Sequence, residues 1–177
     1  MLIGKSNKIP RTAIEVFEML PEGILCQVIE NAIYMSPPPL YEHQRLVMII
    51  TAKIHEFVTT GILGECTPAP IDVYLDENNV FQPDIVFILK ENLSIIKEGK
   101  VKGTPDLVIE VLSHGSKEFD LGKKKTTYEK NGVKEYFAVD HKTKEVQAFY
   151  LKKEKYEAQP KVKAKLVSKL LKKTFKF

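Results

Sequence analysis

Arginine is almost missing from this chain of 177 residues, with Arg11 and Arg45 the only two. Recognition built on guanidinium forks, the usual readers of guanine edges and phosphates, therefore has little to work with. Cysteine is as scarce. Cys26 and Cys66 stand far apart in no ligand-like spacing, and they read as buried thiols in a reducing, cytoplasmic compartment. No apolar run approaches bilayer length and no signal-peptide core opens the sequence, so no membrane partner is expected. A Gly-rich phosphate loop, a Cys/His zinc cluster and a Gly-x-Ser-x-Gly elbow are all lacking. Ser113 and His114 are adjacent, and side chains one apart do not normally meet as nucleophile and base. Repeats, low-complexity segments and linkers are absent too.

What is present fits one domain over residues 1–177, long enough to bury a core without staples. Its apolar and charged fractions, 44% and 28%, are ordinary for a globular protein. The net charge of +4 conceals an asymmetry: residues 151–177 hold ten lysines against Glu154 and Glu157, so residues 1–150 are net acidic. Such a basic tail is either a solvated strand surface or a contact for phosphate backbones, with Lys161, Lys163 and Lys165 the candidates.

Thr12 and Glu15 spell a capping box before a short helix carrying Phe17 and Leu20 inward, ended by Pro21-Glu22-Gly23. One or two short strands follow over 24–35. A long helix then runs from Tyr41 to about Thr59, with His43, Leu46, Val47, Ile50, Ile54 and Phe57 on one face. Residues 71–75, 80–89 and 104–112 read as strands, and 90–103 as a polar connection. After a second helix, Glu135 to Val139 is a densely apolar strand. Beyond it, Val146 to Leu151 and the alternation in Lys161 to Leu166 and Thr174 to Phe177 predict antiparallel strands with lysines outward. The order predicts an α/β fold (α+β): a mixed sheet flanked by helices, with extra antiparallel strands at both ends.

Two strands carry acids where acids are costly. In 82–89, Gln82, Asp84, Val86 and Ile88 share a face. In 105–112, Leu107, Ile109 and Val111 form an apolar face opposite Asp106, Val108 and Glu110. An ionised carboxylate in such a strand needs compensation, which a strand-end position, a lysine or a metal ion supplies. Magnesium takes one or two carboxylates plus waters and phosphates, so Asp84 and Glu110 on neighbouring strands would suffice. On the second helix, which Ser116 can cap and Asn131-Gly132 can stop, Leu121, Lys124 and Tyr128 share the inward stripe. Lys124 there either snorkels, pairs with Asp120 at i, i+4, or reaches the carboxylates. His43 is a hydrogen-bonded core histidine or a group that touches a ligand.

The succession Phe81-Gln82-Pro83-Asp84-Ile85-Val86-Phe87, Pro105 to Ser113 and Tyr128-x-x-x-Gly132-Val133-x-Glu135-Tyr136-x-x-Val139-Asp140 resembles the Uma2 family. These bacterial proteins are classed as restriction-endonuclease-like. Met35-Ser36-Pro37-Pro38 and His43 match as well, and the likeness covers about 12–150 and runs more loosely through the basic extension 151–177. It implies a PD-(D/E)XK core in which Asp84, Glu110 and the Val111 carbonyl hold Mg²⁺ or Mn²⁺. Leu112 stands where the plain motif has lysine, and Lys124 is the matching cation. Asp84, Glu110 and Lys124 are then the catalytic set, supported by Asp106, Gln82, His43, Asp120 and Tyr128. Gln27 departs from an acid of the family while Glu30 keeps one. The implied protein is a homodimeric, metal-dependent DNA endonuclease. A second reading is a catalytically silent nucleic-acid-binding or regulatory module on the same fold, and a third an interaction protein with a basic strand edge.

Overall fold

A computed structural model describes residues 9–21, 23–113 and 115–177. Helix α1 (Ala13–Glu18) begins where the Thr12 hydroxyl accepts the Glu15 N–H at 3.2 Å. The Glu15 carboxylate reaches back to the N–H of Arg11, one residue beyond the position a capping box uses. Strands β1 (Cys26–Ile29) and β2 (Ala32–Met35) form a hairpin that turns at Glu30 and Asn31, both at positive φ. Helix α2 (Tyr41–Thr60) buries His43, Leu46, Val47, Ile50, Thr51, Ile54 and Val58, the stripe expected from its spacing, although Phe57 is only half-buried.

Strands β3 (Gly64–Pro68), β4 (Val73–Asp76), β5 (Asn79–Phe81) and β6 (Ile85–Leu89) follow. The alternation over 80–89 predicts one strand, and the chain instead breaks at Gln82-Pro83-Asp84. Pro83 has no N–H to give a ladder, so the chain changes sheets there. β5 pairs with β1 and β4, whereas β6 pairs with β3. The polar connection folds as a 3-10 turn (Lys90–Ile95) and a small hairpin, β7 (Ile96–Lys97) with β8 (Lys100–Lys102). Strand β9 (Leu107–Leu112), fully buried, leads into helix α3 over residues 117–130. Val133 N–H returning to the Tyr128 carbonyl at 3.0 Å, with Gly132 at φ 84°, closes that helix.

Strand β10 (Glu135–Asp140) lies parallel to β9, as a crossover through α3 requires. β11 (Glu145–Lys152), β12 (Lys155–Ala158), β13 (Val162–Lys163), β14 (Lys165–Ser168) and β15 (Lys173–Lys176) are all antiparallel to their partners. The tail is thus strand, as its alternation predicts, but Ala164 at φ 53° splits it between β11 and the β14–β15 hairpin.

Two mixed sheets result where the sequence predicts one: β2-β1-β5-β4-β8-β7 and β12-β11-β10-β9-β6-β3. The second is the platform. Its Ile85, Phe87, Leu107, Ile109, Val111, Phe137 and Val139 pack on α2 and on the hairpin's Leu166, Leu171 and Phe175. Its other face, with Val86, Ile88, Val108, Leu112, Tyr136 and Ala138, packs on Tyr128 of α3 and on Val73 and Phe81 of the first sheet. Each face removes large apolar side chains from water, the main source of stability in such a stack. Gly64 lets β3 lie against β6, because a Cβ there would sit 2.0 Å from the Ile88 carbonyl oxygen. Among the described residues no helix is long and apolar enough to cross a membrane.

Candidate functional site

The β6–β9 ladder ends at Ile85 opposite Ile109, while β9 continues to Leu112. Beyond that point Asp84 takes over with its side chain. Its Oδ2 accepts the Val111 N–H at 2.7 Å, and its own N–H donates to Oε2 of Glu110 at 3.4 Å. A residue in a strand turns its N–H and C=O to the same edge, so the Val111 carbonyl also faces this opening. His43, 8% exposed near the start of α2, brings Nε2 to 3.3 Å from Oδ2 of Asp84. Its Nδ1 is buried with no hydrogen-bond partner among the described residues.

Glu110 points to the other face, toward α3. Its Oε1 accepts from Lys124 Nζ at 2.6 Å and from the Tyr128 hydroxyl at 2.7 Å. Asp120 Oδ1 takes a second Lys124 bond at 3.0 Å. The spacing of Leu121, Lys124 and Tyr128 predicts a regular helix, and α3 instead passes through a π-helical turn at Asp120–Lys124. That widened turn buries both Asp120 and Lys124, and Leu121 is left only half-buried. Ser116 does not cap the helix with its side chain; it bonds Ser113 instead. The Phe81 ring, 5.7 Å from Lys124 Nζ, closes the far side.

The charges do not balance within this cluster. Burial pushes the Glu110 carboxyl above the ordinary carboxylate range; Lys124 opposes the rise, and Asp120 and Asp84 add to it. Burial alone would lower the Lys124 ammonium, but Asp120 and Glu110 more than reverse that, so it stays charged. Burial likewise lowers His43, and the adjacent Asp84 turns the net shift upward. Three carboxyl groups therefore share one lysine and one histidine, and Glu110, pushed up to about 8, is the one that burial leaves short of positive charge. The short hydrogen bonds fall on Oδ2 of Asp84 and Oε1 of Glu110; Oε2 takes only the 3.4 Å bond from the Asp84 N–H, so Oδ1 and Oε2 are the less committed oxygens. That shortage of positive charge beside weakly engaged carboxylate oxygen suits a hard divalent cation. Among the described residues no three His, Cys, Asp or Glu side chains are grouped as a metal cage, so carbonyl oxygen and water would have to complete the donor set. Magnesium is bound in that manner, and zinc is not.

Asp84, Glu110, Lys124, Asp120, Tyr128, His43 and the Val111 main chain thus meet at one place. Two expected supporters do not. Gln82 gives its Nε2 to Asp72 at 2.9 Å and ties the sheet-changing segment to the loop before β4. Asp106 shares a face with Glu110 but precedes the opposite end of β9, about 13 Å away at strand rise. There it accepts from Leu89 N–H, Asn92 and Lys134. Gln27 binds the Gln82 N–H, and Glu30 pairs with Lys123. Glu22 and His114 lie outside the described residues. Lys161 pairs with Glu145, Lys163 is exposed, and Lys165 belongs to the separate hairpin. Glu135 is a buried acid that sequence reasoning passed over. It accepts from Ser168, Lys169 and Leu170 and fastens the hairpin, a role whose partners lie more than thirty residues on.

A family model for Uma2, described as "Putative restriction endonuclease", matches residues 14–172. A solved structure described as a "putative nuclease belonging to DUF820", from Anabaena variabilis ATCC 29413, superposes with a TM-score of 0.70. It is 18% identical, with 84% of each chain covered, so the likeness is one of fold. No curated protein matches the sequence.

Proposed function

The chain belongs to the Uma2 family, and from that premise we propose that it hydrolyses phosphodiester bonds of DNA with Mg²⁺ or Mn²⁺ held by Asp84, Glu110 and the Val111 carbonyl. The observation that carries this reading is the convergence of Asp84 and Glu110 where β6 leaves the edge of β9, under a buried lysine. Held by these residues, a divalent ion would supply a more acidic bound water and positive charge for the phosphoryl oxygens.

The chain's own groups do the rest. Val111 N–H and His43 fix the Asp84 carboxylate, and Tyr128 and Lys124 fix that of Glu110, so neither must reorganise when substrate arrives. Lys124 supplies permanent positive charge where negative charge grows on the phosphate, and Asp120 holds it in place. Burial of Lys124, 3% exposed, keeps water from screening that charge.

Purified protein with Mn²⁺ is expected to cut plasmid or single-stranded DNA, and Asp84→Ala and Glu110→Ala are each expected to stop it. Cutting that survives both substitutions, or no cutting by the wild type with either ion, overturns the proposal.

A further inference from the structure

Two clefts lie on the α3 side of the platform sheet, the nearer of them reaching Leu112 at the end of β9 that carries the site. The larger, about 250 Å³, opens at Leu112, next to Val111, and is rimmed by Lys117, Lys125 and Lys161, with Asp140 and Glu145 also lining it. The smaller, about 210 Å³, shares Glu145 and Lys161 with it and continues to Lys163. Together they make one groove, starting where β9 ends and running across the ends of β10 and β11 to β13. Four lysines, from the start of α3, its middle, β13 and the residue before β13, line it, against two acids.

Those acids are already engaged. Asp140 accepts the Lys142 and Thr143 N–H groups at 3.0 and 2.9 Å. Glu145 pairs with Lys161, and both side chains are about half exposed. A pair so open to water is weak, so Lys161 can exchange its partner for a phosphate. Leu112, Leu121, Ala138 and Phe149 give the groove an apolar floor, which suits sugar and base edges beneath a row of cations.

The position matters as much as the charge. Glu110 and Lys124 meet on this same α3 face. Most other lysines of the tail do not reach it. Lys169 lies over Tyr150 and Lys173 over Phe57, on the side where the β14–β15 hairpin packs against α2.

We infer that the groove holds the sugar–phosphate backbone of a single nucleic-acid strand leading away from the Asp84–Glu110 site. The inference rests on the nuclease reading of that site, and it assigns contact to Lys117, Lys161 and Lys163 rather than to the basic tail as a whole.

The test is the binding of a labelled single-stranded DNA oligonucleotide by the full-length protein in EDTA, followed by fluorescence anisotropy over a range of salt. A duplex of the same sequence is run in parallel. The triple variant Lys117→Gln/Lys161→Gln/Lys163→Gln is compared with Lys153→Gln/Lys172→Gln/Lys176→Gln, an equal charge loss outside the groove. The first triple is expected to lower the slope of log K against log salt by about 2, at roughly 0.7 per phosphate contact, and the second by less than half of that. Equal losses from the two triples, unchanged binding by the first, a preference for duplex, or no binding by the wild type overturns the groove. A wild type that binds through these lysines yet never cuts with Mn²⁺ leaves the groove standing and removes the nuclease. Cutting by the first triple with an unchanged KM does the reverse.

Discussion

Val111 gives its main-chain N–H to Oδ2 of Asp84 at 2.7 Å, so a side chain occupies the place where β6 would have continued the ladder. The aspartate is thereby positioned by the backbone of a fully buried strand. His43 reaches the same oxygen from α2, while Lys124 reaches Glu110 from α3. Helices on opposite faces of one sheet thus meet at the single end where two of its strands separate.

Asp84→Ala is expected to destabilise the protein by about 1–3 kcal/mol, because it leaves the Val111 N–H buried without an acceptor. Asp84→Asn keeps an acceptor oxygen and is expected to cost less than half as much, while both variants are expected to lose cutting. Urea midpoints of the two variants decide this. Equal midpoints would mean that the bond to Val111 contributes nothing to the fold.

Lys124→Met leaves Glu110 and Asp120 buried without their counter-charge, and a loss of roughly 3–5 kcal/mol is expected. Adding Glu110→Gln removes the carboxyl that Lys124→Met forces to be buried charged or to take up a proton and keeps an acceptor for Tyr128, so the double variant should be more stable than Lys124→Met alone. A double-mutant cycle by chemical unfolding measures the coupling. Additive losses would show that the 2.6 Å contact is energetically empty.

How far the site could be read in advance depended on the kind of information each residue carries. Period-two alternation placed Glu110 on the face opposite Ile109 and Val111, and helical spacing placed Lys124 inward beside Tyr128. Alternation puts Asp106 on the face of Glu110, but four residues of strand, about 13 Å, separate the two, and its supporting role was implied by the family resemblance alone. The change of sheet at Gln82-Pro83-Asp84 had a signal in Pro83, since a proline argues against an unbroken inner strand. The π-helical turn at Asp120–Lys124 is not marked by any residue type, and its extra residue shifts the inward face, so that Asp120 and Lys124 are buried and Leu121 only half-buried. Glu135 and its hairpin needed contacts that only the folded chain brings together.

Asp106 offers a direct way to separate fold from chemistry. Asp106→Ala removes acceptors for Leu89 N–H, Asn92 and Lys134, and the expected cost is about 1.5–3 kcal/mol. DNA cleavage per folded molecule is expected to be unchanged. A tenfold fall in kcat with an intact melting temperature would instead place Asp106 in the working site.

The last prediction concerns acid. Glu129 on α3 accepts the Tyr156 N–H at 2.7 Å and pairs with Lys155 at 3.0 Å, fastening the helix to β12. The Tyr156 N–H, with Lys155 adding to it, holds the carboxyl below its ordinary value of 4.5. A carboxylate lowered in the folded state binds its proton more readily when unfolded. Its stabilising effect is therefore complete above pH 4.5 and is lost as pH falls through the lowered folded value. Glu129→Gln cannot titrate, so the stability gap between wild type and variant should be widest near pH 7 and should close on acidification below 4.5. Urea unfolding of both proteins across that range measures the gap. If it stays constant or widens in acid, the carboxylate is not what holds β12 to the helix.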